Sequence, residues 1–169
     1  MIYIIEGPDG VGKTTLARAI QDKTKAHLLH CTYYPAMHVE NYHYEIMNIA
    51  RKLNVYQDVI IDRWAVSEIV YASVFRNGAS YDTEKAINIM SKLNVKWIYC
   101  KNKDAVKNHL VNRIVRKEMF DNMEDVVVAY EDYIKSSKLS WVTYDFNEVH
   151  MDKFVDKITK KRKYYDTNN

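Results

Sequence analysis

Apolar positions fall in two rhythms along this chain. Short, nearly continuous runs at Ile2-Tyr3-Ile4-Ile5, Val59-Ile60-Ile61, Val95 to Cys100 and Trp141 to Tyr144 suit strands covered on both faces. Ala26 to Cys31 is a further strand of the same kind. Between these runs the apolar residues keep helical spacing. Thr14 to Thr24 carries Leu16, Ala17 and Ile20 on one face, and Tyr44 to Leu53 carries Ile46, Met47, Ile49, Ala50 and Leu53. Ala65 to Phe75 is a third helix, stopped by Asn77-Gly78. Asp82 is placed to cap a fourth reaching Leu93. Further helices are expected over Asp104–Ile114, Glu124–Lys135 and Met151–Lys163. Strand and helix alternate about five times, which predicts an α/β fold with a roughly five-stranded parallel sheet and helices on both faces. No repeat, low-complexity tract or Pro/Gly/Ser linker interrupts the pattern, so residues 1–169 are expected to form one domain.

Composition narrows the function classes. The 169 residues are 47% hydrophobic and 28% charged, ordinary globular values that exclude wholesale disorder. Lys plus Arg number 25 and Asp plus Glu 22, but six of those cations and three of the acids lie after position 150, leaving a neutral body. That balance argues against non-specific nucleic-acid binding as the main activity. Two cysteines, Cys31 and Cys100, build neither a disulfide framework nor a zinc cluster. With no long apolar run and no cleavable leader after Met1, no membrane partner is expected, and the expected location is cytoplasmic.

Glycine use changes the picture. The chain has 4 glycines, and Gly7, Gly10 and Gly12 sit together. Gly7-Pro8-Asp9-Gly10-Val11-Gly12-Lys13-Thr14 satisfies G-x-x-x-x-G-K-[ST], a match chance gives to roughly one chain in 200 of this length. An apolar strand leads in and an amphipathic helix leads out, the context of a P-loop. There, backbone N–H groups turn toward phosphate oxygens, the lysine reaches the β/γ-phosphates, and the threonine hydroxyl holds Mg²⁺. ATP and Mg²⁺ are therefore the expected cofactors. The third strand ends in Asp62, a carboxylate suited to hold Mg²⁺ through water. Arg63 follows where many hydrolases carry a glutamate, and offers a cation to a second phosphate. Arg113 and Arg116, three apart, form either a mobile lid over about 112–122 or a solvated basic helix end.

Together these residues resemble the thymidylate kinase family of nucleoside monophosphate kinases. The resemblance is carried by Glu6 to Thr15, by Asp62-Arg63-Trp64 with Ser67 and Tyr71, and by Arg113 to Glu124 followed by Tyr130. It implies a P-loop three-layer sandwich with a short lid, and phosphoryl transfer from ATP to a deoxynucleoside monophosphate, dTMP first. It also implies a homodimer. Compact versions of this family are often virus-encoded, in which case the location is the host cytoplasm. Residue by residue, it implies that Asp9 accepts from the acceptor's 3′-hydroxyl and Arg63 holds its phosphate. Thr14 and Asp62 place the metal, and Tyr71 packs where a ribose 2′-hydroxyl would lie. Lys13, Arg63, Arg113 and Arg116 form the catalytic set. Met47 and Arg51 correspond to the family's base-stacking and phosphate-binding pair.

The departures are specific. Cys31-Thr32-Tyr33-Tyr34-Pro35-Ala36 replaces the family's T-R-E-P-G-G, Glu68 stands where a polar amide is common, and Asn122 replaces an arginine. A related deoxynucleoside kinase, acting on a 5′-hydroxyl, remains an alternative. So does an ATP-binding interaction protein using Lys160-Lys161-Arg162-Lys163 on nucleic acid, although that cluster also reads as the solvated end of the last helix. His27, His30, His38 and His43 lack ligand spacing, and Tyr33, Tyr34, Tyr42 and Tyr44 read equally as packing or as stacking groups.

Overall fold

The computed structural model describes residues 1–32, 38–101 and 122–160. The two most apolar runs become the interior of the sheet. β1 (Ile2–Glu6) and β3 (Val59–Asp62) are buried at every position. β4 (Val95–Cys100) and β5 (Trp141–Tyr144) continue the sheet on one side, and β2 (His27–His30) closes the other. The order is β2-β3-β1-β4-β5, all parallel. β2 is an edge strand, which is why its histidines tolerate exposure.

Register decides where chemistry collects. Ile5 pairs with Asp62, His30 with Asp62, Glu6 with Tyr99 and Cys100 with Tyr144. The strand ends that carry polar groups therefore lie along a single edge. The connection leaving β1 runs toward β2 while that leaving β4 runs toward β5, the arrangement that opens a crevice at the carboxyl ends of a parallel sheet.

The helices are α1 (Lys13–Thr24), α2 (Val39–Leu53), α3 (Ala65–Phe75), α4 (Thr83–Ser91), α5 (Met123–Ser136) and α6 (Met151–Thr159). α1 packs with α6, while α3 packs with α4 and α5, so two helical layers enclose the sheet. Among the described residues Trp64, Tyr130 and Tyr144 are the bulkiest fully buried side chains. No described helix is long and apolar enough to cross a membrane.

α2 begins at Val39, a turn before the Tyr44 start expected from the sequence. Val39 and His43 bury on the face that continues through Ile46, Met47 and Ala50, so tertiary burial recruits a polar stretch into the helix. α4 is capped as expected: the Asp82 carboxylate accepts from Lys85 N at 3.0 Å. α3 ends at the anticipated signal, with Asn77 and Gly78 at φ 61° and 122° and Gly78 N donating to the Ala72 carbonyl at 2.9 Å. The helix expected over Asp104–Ile114, the lid, Tyr33, Tyr34 and the end of the basic tail lie outside the described residues.

Candidate active site

Geometry leaves no alternative to glycine at the start of the loop after β1. Gly7 has φ 144°, and a Cβ there would land on the Cys100 carbonyl oxygen. Gly12, at φ 81°, caps α1 with no side chain of its own to satisfy the first N–H groups. Those donors, at the positive end of the helix dipole, form an anion site. Lys13 is buried and its ammonium donates to the Pro8 carbonyl. Burial first, and the Arg63 charge second, push its pKa down to about 7. An incoming polyanion would offer that ammonium a far better partner than a carbonyl.

Beside the loop, Thr14 Oγ1 donates to Asp62 Oδ2 at 2.8 Å, and His30 Nδ1 lies 3.0 Å from the same oxygen. The other Asp62 oxygen, Oδ1, is fully buried and has no hydrogen-bond partner among the described residues. A buried carboxylate oxygen left over next to a threonine hydroxyl is a hard-oxygen pair. That fits Mg²⁺ held by one or two protein oxygens plus water and phosphate, rather than a metal caged entirely by side chains.

On the β3 side stands a second charged cluster. Arg63 adopts φ 68°, a left-handed backbone that turns its side chain back over the loop, anchored by its N–H to the Ile5 carbonyl at 2.9 Å. Its Nη2 donates to Asp9 Oδ1 at 2.5 Å. Its Nη1 donates, at longer range, to the Gly7 carbonyl (3.3 Å), Ser67 Oγ (3.4 Å) and the Tyr71 hydroxyl (3.5 Å). The guanidinium also lies 5.3 Å from the Tyr71 ring centre, within cation–π range. Tyr71 in turn donates to Asp9 Oδ2 at 3.0 Å. Burial pushes the Asp9 carboxyl up, but Arg63, Lys13 and the Tyr71 hydroxyl outweigh it and hold the group below its ordinary value.

Behind this cluster lies a buried acid. Glu6 accepts from Trp64 N (2.9 Å) and Ser67 Oγ (2.5 Å), and Tyr130 reaches the same carboxylate at 3.4 Å. Burial raises its pKa, against the pull of Ser67 and Arg63. By gripping the N-terminal turn of α3, Glu6 fixes the backbone immediately after Arg63.

The structure thus brings together Gly7, Pro8, Asp9, Gly10, Gly12, Lys13, Thr14, Asp62, Arg63, Ser67 and Tyr71. Val11 is buried in the core, and Thr15 is exposed on the first turn of α1. Met47 and Arg51 are not brought to this group. Met47 is buried in the core. Arg51 is exposed near the far end of α2, about 18 Å along the helix from Val39 at a rise of about 1.5 Å per residue. Asn54, just beyond it, bonds the Met1 carbonyl at the opposite edge of the sheet. Glu68 is engaged by Arg76 at 2.6 Å and by Ser80 N and Oγ at 3.2 and 3.1 Å, so its carboxylate is committed within the protein. Arg113 and Arg116 fall outside the described residues. His43 is buried against Tyr81 at 2.6 Å, and burial pushes its pKa down to about 4.

From the sequence, Glu6 stands only as the first residue of the matched motif and His30 only as one of four histidines without ligand spacing. Glu6 had a signal, an acid ending an otherwise apolar central strand; the place of His30 beside Asp62 is set by pairing across the sheet.

No family model matches the chain, and no curated protein sequence matches it either. Solved structures do resemble it. The YorR protein of Bacillus subtilis, crystallised with phosphorylated GDP, superposes with a TM-score of 0.73 at 20% identity, over 94% of this chain and 93% of that one. A deoxyadenosine kinase from M. mycoides with bound dATP gives 0.62 at 16% identity, over 95% and 100%. The same enzyme with the products dCMP and a flexible dCDP gives 0.59 at 16%, over 94% and 96%. At these identities the likeness establishes a shared α/β fold across nearly the whole chain.

Proposed function

We propose that this chain is an ATP- and Mg²⁺-dependent kinase that phosphorylates a deoxynucleoside monophosphate, with dTMP the favoured acceptor. One observation carries the reading: two anion-binding arrangements face each other across one sheet edge. The Gly12–Lys13–Thr14 helix start serves one phosphate chain, and Arg63 with Asp9 serves another group. A hydrolase needs only the first. The fold neighbours support phosphorylation of a nucleotide or nucleoside generally, since YorR was solved with phosphorylated GDP and the M. mycoides deoxyadenosine kinase with dATP and with dCMP and dCDP.

In this reading the donor's phosphates take the free N–H groups of the loop, and Lys13 exchanges the Pro8 carbonyl for β- and γ-oxygens. Thr14 and Asp62 would hold Mg²⁺, whose chemistry there would be to neutralise the charge that develops on the donor phosphates during transfer. Arg63 takes the acceptor phosphate. That frees Asp9 to accept from the 3′-hydroxyl, while the Tyr71 ring closes the space a 2′-hydroxyl would need. Arg113 and Arg116 would close over the transferring group as lid cations. Catalysis is then mostly positioning and charge neutralisation. The same reading has the chain act as a cytoplasmic, homodimeric single domain with no nucleic-acid partner.

A deoxynucleoside kinase would instead need a carboxylate free to accept a 5′-hydroxyl proton. Asp62, just before Arg63 at the end of β3, is the candidate for that task, and in the monophosphate reading it is committed to Thr14 and to the metal instead. Phosphorus NMR of the products separates the two. Incubation with Mg-ATP and dTMP should generate dTDP, whereas dTMP formed from thymidine would assign the chain to nucleoside phosphorylation.

A further inference from the structure

β2 ends on a histidine that the proposed phosphoryl transfer leaves without a task. His30 pairs in register with Asp62, so both side chains leave the same face of the sheet. Cys31 N donates to the Asp62 carbonyl at 3.0 Å and locks that register at the strand end. His30 Nδ1 then lies 3.0 Å from Asp62 Oδ2. A carboxylate only accepts, so Nδ1 carries the proton and donates. His27, at the other end of the strand, stands in register with the apolar Val59. The His30 side chain is 51% exposed and that of Asp62 1%. A contact so open to water adds little to stability, so its consequence falls on the buried partner.

Thr14 Oγ1 donates to the same oxygen at 2.8 Å. Oδ2 is therefore held from two elements, α1 and β2. A threonine hydroxyl has one proton and two lone pairs, so Thr14 keeps a lone pair for a cation while it donates. Two donors on one oxygen stop the carboxylate from turning. The buried Oδ1, without a partner among the described residues, is left as the oxygen for the metal or its water. We propose that His30 is a positioning residue for Mg²⁺, holding the Asp62 carboxylate in the orientation that leaves Oδ1 to the ion, an inference that rests on the kinase reading above. A hydrogen-bond partner behind a metal ligand fixes that ligand's orientation, and its loss is felt in metal affinity. In this role His30 touches neither metal nor nucleotide.

The test is Mn²⁺ binding to the full chain saturated with the β,γ-imido analogue of ATP, read from the electron paramagnetic resonance signal of free Mn²⁺. Affinity for the analogue in EDTA is measured beside it. His30→Ala and His30→Leu, which keeps bulk on the strand, both remove the donor. Each should weaken Mn²⁺ by about ten- to a hundredfold, the range for partners of metal ligands. Metal-free affinity for the analogue should stay within about twofold in both. His30→Asn, whose amide nitrogen is as many bonds from Cα as Nδ1, should restore Mn²⁺ binding. Unchanged Mn²⁺ affinity in the donor-less variants would overturn the assignment and leave the kinase reading standing. Equal losses with and without metal would overturn it too, by making His30 a clamp on the strand end. Failure of His30→Asn to restore binding would overturn the Nδ1 contact as the cause. Wild-type protein that binds neither the analogue nor Mn²⁺ would overturn the kinase reading itself, and the role of His30 with it.

Discussion

At the scale of single residues, the site is built against its own stability. Lys13 keeps its ammonium in a buried place where the partner is a carbonyl, with the Arg63 charge nearby. Its folded pKa of about 7 lies below the ordinary lysine value of 10.5. Between those values the unfolded chain binds a proton that the folded chain has lost, so this group's contribution to stability rises with pH across that window. Below about pH 7 both states are charged and the cost of burying the charge is greatest. Lys13→Met should therefore raise the Tm of the ligand-free protein, more at pH 6 than at pH 10, while turnover falls about 10²–10³-fold. Thermal melts across pH with a parallel assay check both halves. Arg63→Ala should act on the acceptor: loss of a charge-assisted phosphate contact of about 1.5–3 kcal/mol predicts roughly ten- to a hundredfold lower kcat/KM for dTMP. An unchanged KM for ATP is expected, and a rise confined to that KM would move Arg63 to the donor. Tyr71→Ala should raise the efficiency of ribo- relative to deoxy-acceptors, measured as the UMP to dTMP ratio of kcat/KM. A variant that folds without shifting that ratio would make Tyr71 a packing residue of the Tyr71–Phe75–Tyr130 aromatic group.

At the scale of elements, the strands were legible because a buried parallel strand leaves a continuous apolar run, and β1, β3, β4 and β5 all carry one. The loop after β1 was legible because its chemistry is local in sequence. Pairing across the sheet is not local in sequence: Thr14 and Asp62, 48 residues apart, were joined as one metal site only through the family resemblance, and they meet at 2.8 Å because β1 and β3 are neighbours in register. The direction of α2 was equally hidden. A helix antiparallel to the strands carries Arg51 toward the opposite edge, where Asn54 bonds the Met1 carbonyl, so the phosphate-binding partner carried over from the resemblance does not join the cluster. Helix ends with local chemistry behaved as expected, and α4 offers a clean control. Asp82→Ala removes the bond to Lys85 N and should cost about 0.5–2 kcal/mol, a drop of a few degrees in Tm. Because α4 lies outside the cluster, kcat for dTMP should stay at the wild-type value, read in the same preparation.

At the scale of the whole molecule, one sheet edge gathers the start of α1, the Arg63–Asp9 ion pair and a metal-compatible oxygen pair. In the proposed kinase reading the β1 loop takes the donor's phosphates and the acceptor lies on its β3 side, at Arg63. That division explains why a neutral body suffices: charge is concentrated at the edge in Lys13, Arg63 and the proposed lid arginines rather than spread over the surface. It also makes the central claim, transfer from ATP to a nucleotide acceptor, directly measurable. The decisive measurement is ADP release from Mg-ATP with each deoxynucleoside monophosphate, ribonucleoside monophosphate, nucleoside and single-stranded DNA offered in turn. A dNMP-dependent rate with dTMP fastest, ribonucleotides far slower and DNA without effect is the predicted result. ADP release that ignores every monophosphate, or that rises only with a nucleoside or with DNA, would contradict it.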